Sequence, residues 1–125
     1  MIVDASVLLA VFFREKEEAW AREQLSRHGD NLKMSTVNLA EVLILVREKR
    51  PAIFEEVKGE INKAWFITFV PPSVEQAHRA AWARHKYKSL NFGDCFVYAL
   101  AKEDNSPVLT LDGDFKTTDI EVLTP

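Results

Sequence analysis

The sequence predicts an α/β fold built on a mostly parallel sheet, and three observations predict it. Short apolar, β-branched runs alternate along the chain with longer segments of helical periodicity. Turn-forming clusters separate them, at His28-Gly29-Asp30-Asn31, Pro71-Pro72 and Asp104-Asn105-Ser106-Pro107. No repeat, linker or low-complexity stretch breaks the alternation over 125 residues, a length that suits one domain spanning 1–125.

The elements follow in order. Met1–Val3 reads as a short strand, Ser6–Phe13 as a short helix and Lys16–Ser26 as a second. Leu32–Ser35 is the next strand. Leu39, Val42, Leu43 and Val46 repeat at helical spacing and predict a helix over Leu39–Lys49. Pro51 suits a helix start, with the helix running to about Ala64. Trp65–Val70, rich in aromatic and β-branched residues, reads as a strand, with Trp65, Phe66 and Phe69 in the core. Ser73-Val74-Glu75-Gln76 is a capping-box pattern opening a helix to about Lys86. Asn91–Lys102 is another helix, Val108–Leu111 a strand, Asp112-Gly113-Asp114 a turn and Ile120–Leu123 a last edge strand.

Composition narrows the function classes. Hydrophobic residues make up 47% and charged residues 28%, an ordinary globular balance that can bury a core without staples. The single cysteine, Cys95, excludes an intrachain disulfide and suits a reducing compartment. Met1 leads directly into Ile2-Val3-Asp4 with no basic stretch, and the apolar run Val7–Phe13 is too short to span a bilayer. A soluble cytoplasmic protein with no membrane contact is the expectation. A net charge of −3 argues against a non-specific nucleic-acid binder, unless the basic residues gather where phosphates arrive.

The acids carry the chemistry. Asp4 directly follows the first strand, and Glu41 follows the second across a Thr36-Val37-Asn38 turn. Asp94 lies in the first turn of the helix from Asn91, and Asp112 and Asp114 follow the Val108–Leu111 strand. In a parallel sheet these positions share the carboxyl edge, where ligands bind. Clustered carboxylates repel one another unless a cation neutralises them. Oxygen ligands with no histidine or cysteine among them favour Mg²⁺ or Mn²⁺, and the chemistry that suits is metal-assisted phosphodiester hydrolysis. Each acid also has a plain structural use: Asp4 as a helix cap, Asn38-x-x-Glu41 and Asn91-x-x-Asp94 at capping-box spacing, Asp112-Gly113-Asp114 as a turn. Only their joint placement points to a site.

Other candidates carry less. His28 lies in a loop, and His78 and His85 lack a carboxylate or cysteine at ligand spacing, so all three read as solvated or structural. Cys95 reads as a small core residue. Arg84, Lys86 and Lys88 precede the Asp94 helix and are placed to meet RNA phosphates. Arg47, Lys49 and Arg50 end a helix, where the dipole favours basic residues in any case.

The same positions carry a family likeness. Ile2-Val3-Asp4-Ala5-Ser6-Val7-Leu8-Leu9-Ala10 resembles the opening of PIN domains of the VapC-like toxin kind, from type II toxin–antitoxin systems. Ser35-Thr36-Val37-Asn38-Leu39-Ala40-Glu41-Val42 resembles the segment with the second acid. Leu90-Asn91-Phe92-Gly93-Asp94-Cys95-Phe96-Val97-Tyr98-Ala99-Leu100-Ala101 resembles the third and is the most specific. Val108-Leu109-Thr110-Leu111-Asp112-Gly113-Asp114-Phe115 resembles the fourth. The motifs occur in the family's order and cover essentially the whole chain.

The resemblance implies a three-layer α/β/α sandwich with a central, twisted, mostly parallel sheet. It implies an endoribonuclease using Mg²⁺ or Mn²⁺ at Asp4, Glu41, Asp94 and one or both of Asp112 and Asp114. It implies support from Ser6, Asn38 and Thr110, a homodimer, an RNA substrate and a cognate antitoxin protein. Two other readings share parts of the pattern. A phosphoacceptor receiver domain fits poorly, because Asp4 is followed by Ala5-Ser6 rather than a second acid and no lysine follows the Val108–Leu111 strand directly. A PIN-like binding module without activity, or a housekeeping RNA-processing nuclease, would use the same fold.

Overall fold

Adjacent residues of the first strand point to opposite faces, as the pleat requires, and each enters a different core. In a computed structural model describing residues 1–125, Val3 packs into one buried cluster and Ile2 into the other. The strands are β1 (Ile2–Val3), β2 (Leu32–Ser35), β3 (Ile67–Val70), β4 (Val108–Leu109) and β5 (Val122–Leu123). All pair in parallel in the order β3-β2-β1-β4-β5. The helices are α1 (Ala5–Phe12), α2 (Glu18–Arg27), α3 (Thr36–Lys49), α4 (Phe54–Lys63), α5 (Val74–Lys86) and α6 (Phe92–Asp104).

Helices α1 to α4 bury Val7, Val11, Leu25, Val42, Val46 and Val57 against Val3, Met34 and Leu109. Helices α5 and α6 cover the opposite face, with Ala83, Val97 and Tyr98 packed with Ile2 and Val108. The expected three-layer α/β/α sandwich is present, and its sheet is wholly rather than mostly parallel. No helix is long and apolar enough to cross a membrane.

Most boundaries move by one to three residues from the sequence reading, and the following shifts matter most. Helix α3 starts at Thr36, not Leu39, because Ser35 is its cap: the Ser35 hydroxyl accepts from Val37 N at 3.2 Å. The expected turn at Thr36-Val37-Asn38 is therefore helix, and Asn38 is no cap. Pro51 opens a 3-10 turn, Pro51–Ile53, before α4. Strand β3 begins at Ile67; Trp65 is buried ahead of it, while Phe66 is 84% exposed and outside the core. Strand β4 ends at Leu109, and Thr110 just beyond it still donates its backbone N–H to Leu123 O at 3.1 Å.

The strand order reverses direction at β1. From β1 the chain winds outward through β2 to β3, then returns to place β4 on the other side of β1. The crevice at the carboxyl ends of β1 and β4 is the switch point where open α/β sheets bind ligands. Asp4 and Asp112 leave the sheet on its two sides.

Candidate metal centre

Asp4 occupies the N-cap position of α1, yet its side chain caps no backbone N–H. Its Oδ2 instead accepts from the Ser6 hydroxyl at 2.7 Å and the Thr110 hydroxyl at 2.9 Å. Thr110 Oγ1 in turn accepts from Asp112 N at 2.9 Å, and Ser6 Oγ accepts from Leu111 N at 3.0 Å. Two hydroxyls thus fasten the end of β1 to the segment leaving β4. Burial pushes the Asp4 pKa up; the Ser6 and Thr110 hydrogen bonds oppose this, and the Asp112 charge adds to it.

Asp94 sits in a reciprocal capping box. Asn91 Oδ1 accepts from Asp94 N at 2.8 Å, and Asp94 Oδ2 accepts from Asn91 N at 3.0 Å. The sequence reading of this box is correct, and the cap leaves one carboxylate oxygen unused. Burial raises the Asp94 pKa to about 7, offset in part by the Asn91 bond and reinforced by Asp4, Asp112 and Asp114.

Asp112 caps the 3-10 turn Gly113–Thr117 through Oδ1, which accepts from Asp114 N at 2.9 Å. Burial also raises the pKa of Asp114, with a further contribution from Asp112. Glu41, one turn into α3, lies against Gly93 of α6, and its Oε1 accepts from Asn38 Nδ2 at 2.7 Å. Asn38 is fully buried and also donates to Gly93 O at 3.0 Å. Burial raises the Glu41 pKa, the Asn38 bond opposes it, and the Asp4 charge adds to it.

The sheet brings three of these acids together. Asp4, Asp94 and Asp112 each offer an oxygen, and the three oxygens lie within 4.8 Å of one another. Glu41 and Asp114 border this trio without completing it. No lysine, arginine or histidine pairs with any of the five acids. Two of the trio, Asp4 and Asp94, are only 4% exposed. A buried cluster of like charges without a cationic side chain is stable when protonated or when it holds a cation. The donors are all carboxylate oxygens, which fits a hard divalent ion.

The remaining candidates lie apart. Arg84 and Lys88 are exposed and linked by an Arg84 Nη1 bond to Lys88 O at 2.9 Å. The Arg84 charge reaches Cys95, next to Asp94. Lys86 is turned away, with Nζ 5.0 Å from the Trp82 ring centre and 5.4 Å from that of Tyr87. Cys95 is buried between α5 and α6, as expected of a core residue. The three histidines lie outside the acidic cluster. Gly93 was not singled out from the sequence; the one available signal was a glycine inside a helix, where propensity disfavours it.

This chain belongs to the PIN domain family, whose model matches residues 1–121. Within that family it is similar to the VapC ribonuclease Mb2004c of Mycobacterium bovis, at 31% identity over 97% of this chain and 91% of the relative. It is also similar to ribonuclease VapC28 of Mycobacterium tuberculosis, at 32% identity over 97% and 96% of the two chains. The fold matches the crystal structure of VapC20 of Mycobacterium tuberculosis, a sarcin-ricin loop cleaving toxin, with a TM-score of 0.83 at 17% identity over 99% and 98% of the chains. It also matches FitAcB from Neisseria gonorrhoeae, with a TM-score of 0.78 at 21% identity over 99% and 96%.

Proposed function

We propose that this chain is a divalent-metal-dependent endoribonuclease and the toxin of a VapBC-type toxin–antitoxin pair. The observation that carries the chemistry is the convergence of Asp4, Asp94 and Asp112 at the β1/β4 switch point with no cationic side chain among them. The ribonuclease names of relatives at 31–32% identity support the substrate class. The toxin–antitoxin assemblies among proteins of this fold support a cognate antitoxin partner, and a homodimer is part of the same proposal.

Asp4, Asp94 and Asp112, with Glu41 at their border, would hold the ion, and the hardness of the donors favours Mg²⁺ or Mn²⁺. Bound there, the ion would supply an activated water and would stabilise the leaving oxygen of a phosphodiester. Ser6 and Thr110 fix the direction of Asp4, and Asn91 fixes Asp94. Asn38 holds Glu41 by Oε1 and leaves Oε2 without a protein donor, free to orient the attacking water. The RNA 2′-hydroxyl takes no part, so products end in 5′-phosphate and 3′-hydroxyl. Single-stranded or loop RNA in the cytoplasm is the substrate.

The test is incubation of the purified protein with a structured RNA in Mg²⁺, in Mn²⁺ and in EDTA, beside Asp94→Asn. Cleavage that requires both the metal and Asp94 is the expected result. Cleavage that persists in EDTA, or a protein that binds no Mn²⁺ by calorimetry, overturns the assignment.

A further inference from the structure

Gly93 occupies a place in α6 that helix propensity argues against. It lies in the first turn, one residue before Asp94, and no glycine in this chain adopts a positive φ. Alanine would take up the same backbone without strain, so conformational freedom does not explain the glycine. Space does. A β-carbon built on Gly93 overlaps Glu41 Oε1, Oε2 and Cδ together. The carboxylate therefore lies against the bare Cα of α6. The other glycines differ: Gly59 and Gly113 have nothing near such an atom, and Gly29 would meet only backbone oxygens at ordinary contact distances, 3.4 and 3.7 Å.

Glu41 has little freedom to retreat. Asn38 donates through the same Nδ2 to Glu41 Oε1 and to Gly93 O, and it is fully buried. One amide thus ties the carboxylate and the Gly93 peptide to a common point between α3 and α6. Moving the carboxylate stretches the 2.7 Å bond; moving α6 displaces Asp94, the next residue.

We propose that Gly93 is a positioning residue for the acidic centre: its missing side chain is the seat of the Glu41 carboxylate, and any side chain there drives Glu41 out of the site. The inference deepens the reading of the acids as a metal site and rests on it.

The test is a double-mutant cycle of Gly93→Ala and Glu41→Asp, whose shorter side chain draws the carboxylate back from the overlap. Mn²⁺ affinity is read by calorimetry without RNA, and thermal unfolding is followed without metal. Gly93→Ala is expected to weaken Mn²⁺ binding about tenfold or more, the range for residues that orient ligands. Its metal-free Tm is expected to fall modestly, because relief of the overlap stretches the Asn38 bond or shifts α6, with the helix preference of alanine offsetting part of the loss. Glu41→Asp alone weakens binding as well, and the double variant binds no more weakly than the weaker single, since the two changes act on one contact. Gly93→Ala with wild-type Mn²⁺ affinity overturns the proposal, and so do strictly multiplicative losses. Unfolding of Gly93→Ala at the temperature of the calorimetry, with the double variant equally unfolded, also overturns it, by making the effect one of folding. A wild-type chain that binds no Mn²⁺ overturns instead the metal-site reading on which the proposal rests.

Discussion

Thr110 Oγ1 donates a 2.9 Å hydrogen bond to Asp4 Oδ2, joining residues 106 apart in sequence. The same oxygen accepts from Asp112 N, so one fully buried hydroxyl sets the separation of two carboxylates in the centre. Thr110→Val keeps the shape and removes the hydroxyl. It leaves the Asp112 amide without its partner and Asp4 with Ser6 alone. The expected cost is about 1–3 kcal/mol in urea denaturation. Mn²⁺ affinity should fall roughly tenfold by calorimetry, as for other groups that orient ligands. Wild-type values in both would separate the hydroxyl from the site.

Asp94 makes the metal-free protein respond to pH in an unusual direction. Its folded pKa, about 7, lies above the value of about 4 expected in the unfolded chain. Between those values the folded state holds a proton that the unfolded state has released. Stability without metal therefore rises as pH falls from about 7 toward 4. Below that, Asp104 and Asp119 act the other way. Their pKa values are held down by Lys33 and Lys102, so their contribution is lost as they protonate. The metal-free Tm should be higher at pH 5.5 than at pH 8 by roughly 5 °C, a shift of order 1 kcal/mol. Asp94→Asn should flatten the profile. Mn²⁺, which competes with the proton, should raise Tm more at pH 8 than at pH 5.5. A metal-free Tm that climbs from pH 5.5 to pH 8 would contradict the burial of an uncompensated carboxylate.

Asp112 and Asp114, two residues apart, are placed differently. Asp112 offers an oxygen to the trio and caps the following turn, while Asp114 lies at the border. Asp112→Asn can still accept from Asp114 N but loses its charge, and should abolish measurable Mn²⁺ binding. Asp114→Asn removes a charge outside the trio and should weaken binding by less than about tenfold, the effect of a screened neighbour rather than a ligand. Equal losses would place both acids on the ion.

The acids were legible in the sequence because a parallel sheet puts every strand's carboxyl end on one edge, so strand order hardly matters to the list. What was illegible depended on contacts between elements distant in sequence. The sequence places Glu41 after a turn, because Asn38 resembles a cap and nothing local shows that Ser35 caps the helix first. Asn38 then proved to be buried between two helices, a role set by α6 rather than by its neighbours. The residue type of Phe66 predicts a core position, yet it precedes β3 and points to solvent. Which of Asp112 and Asp114 faces the trio depends on how the chain bends after β4, which no local pattern shows. Gly93 acquires meaning only once Glu41 is seen against it.

Arg84 and Lys86 are two residues apart and should contribute unequally to RNA binding. Arg84 is exposed, and its charge reaches the first turn of the Asp94 helix. The Lys86 ammonium is held over Trp82 and Tyr87, on another side of α5. In an Asp94→Asn background, where RNA is bound without being cut, Arg84→Ala should weaken binding of single-stranded RNA. It should also reduce the salt dependence by about 0.7 in the log–log slope, the value for one phosphate contact on a single strand. Lys86→Ala should leave the slope unchanged while losing the aromatic contact. Lys88→Ala should fall with Arg84, because it keeps the carbonyl that anchors the guanidinium but removes an exposed ammonium beside it. An unchanged slope for Arg84→Ala with a reduced one for Lys86→Ala would move the RNA path to the Trp82 side of α5.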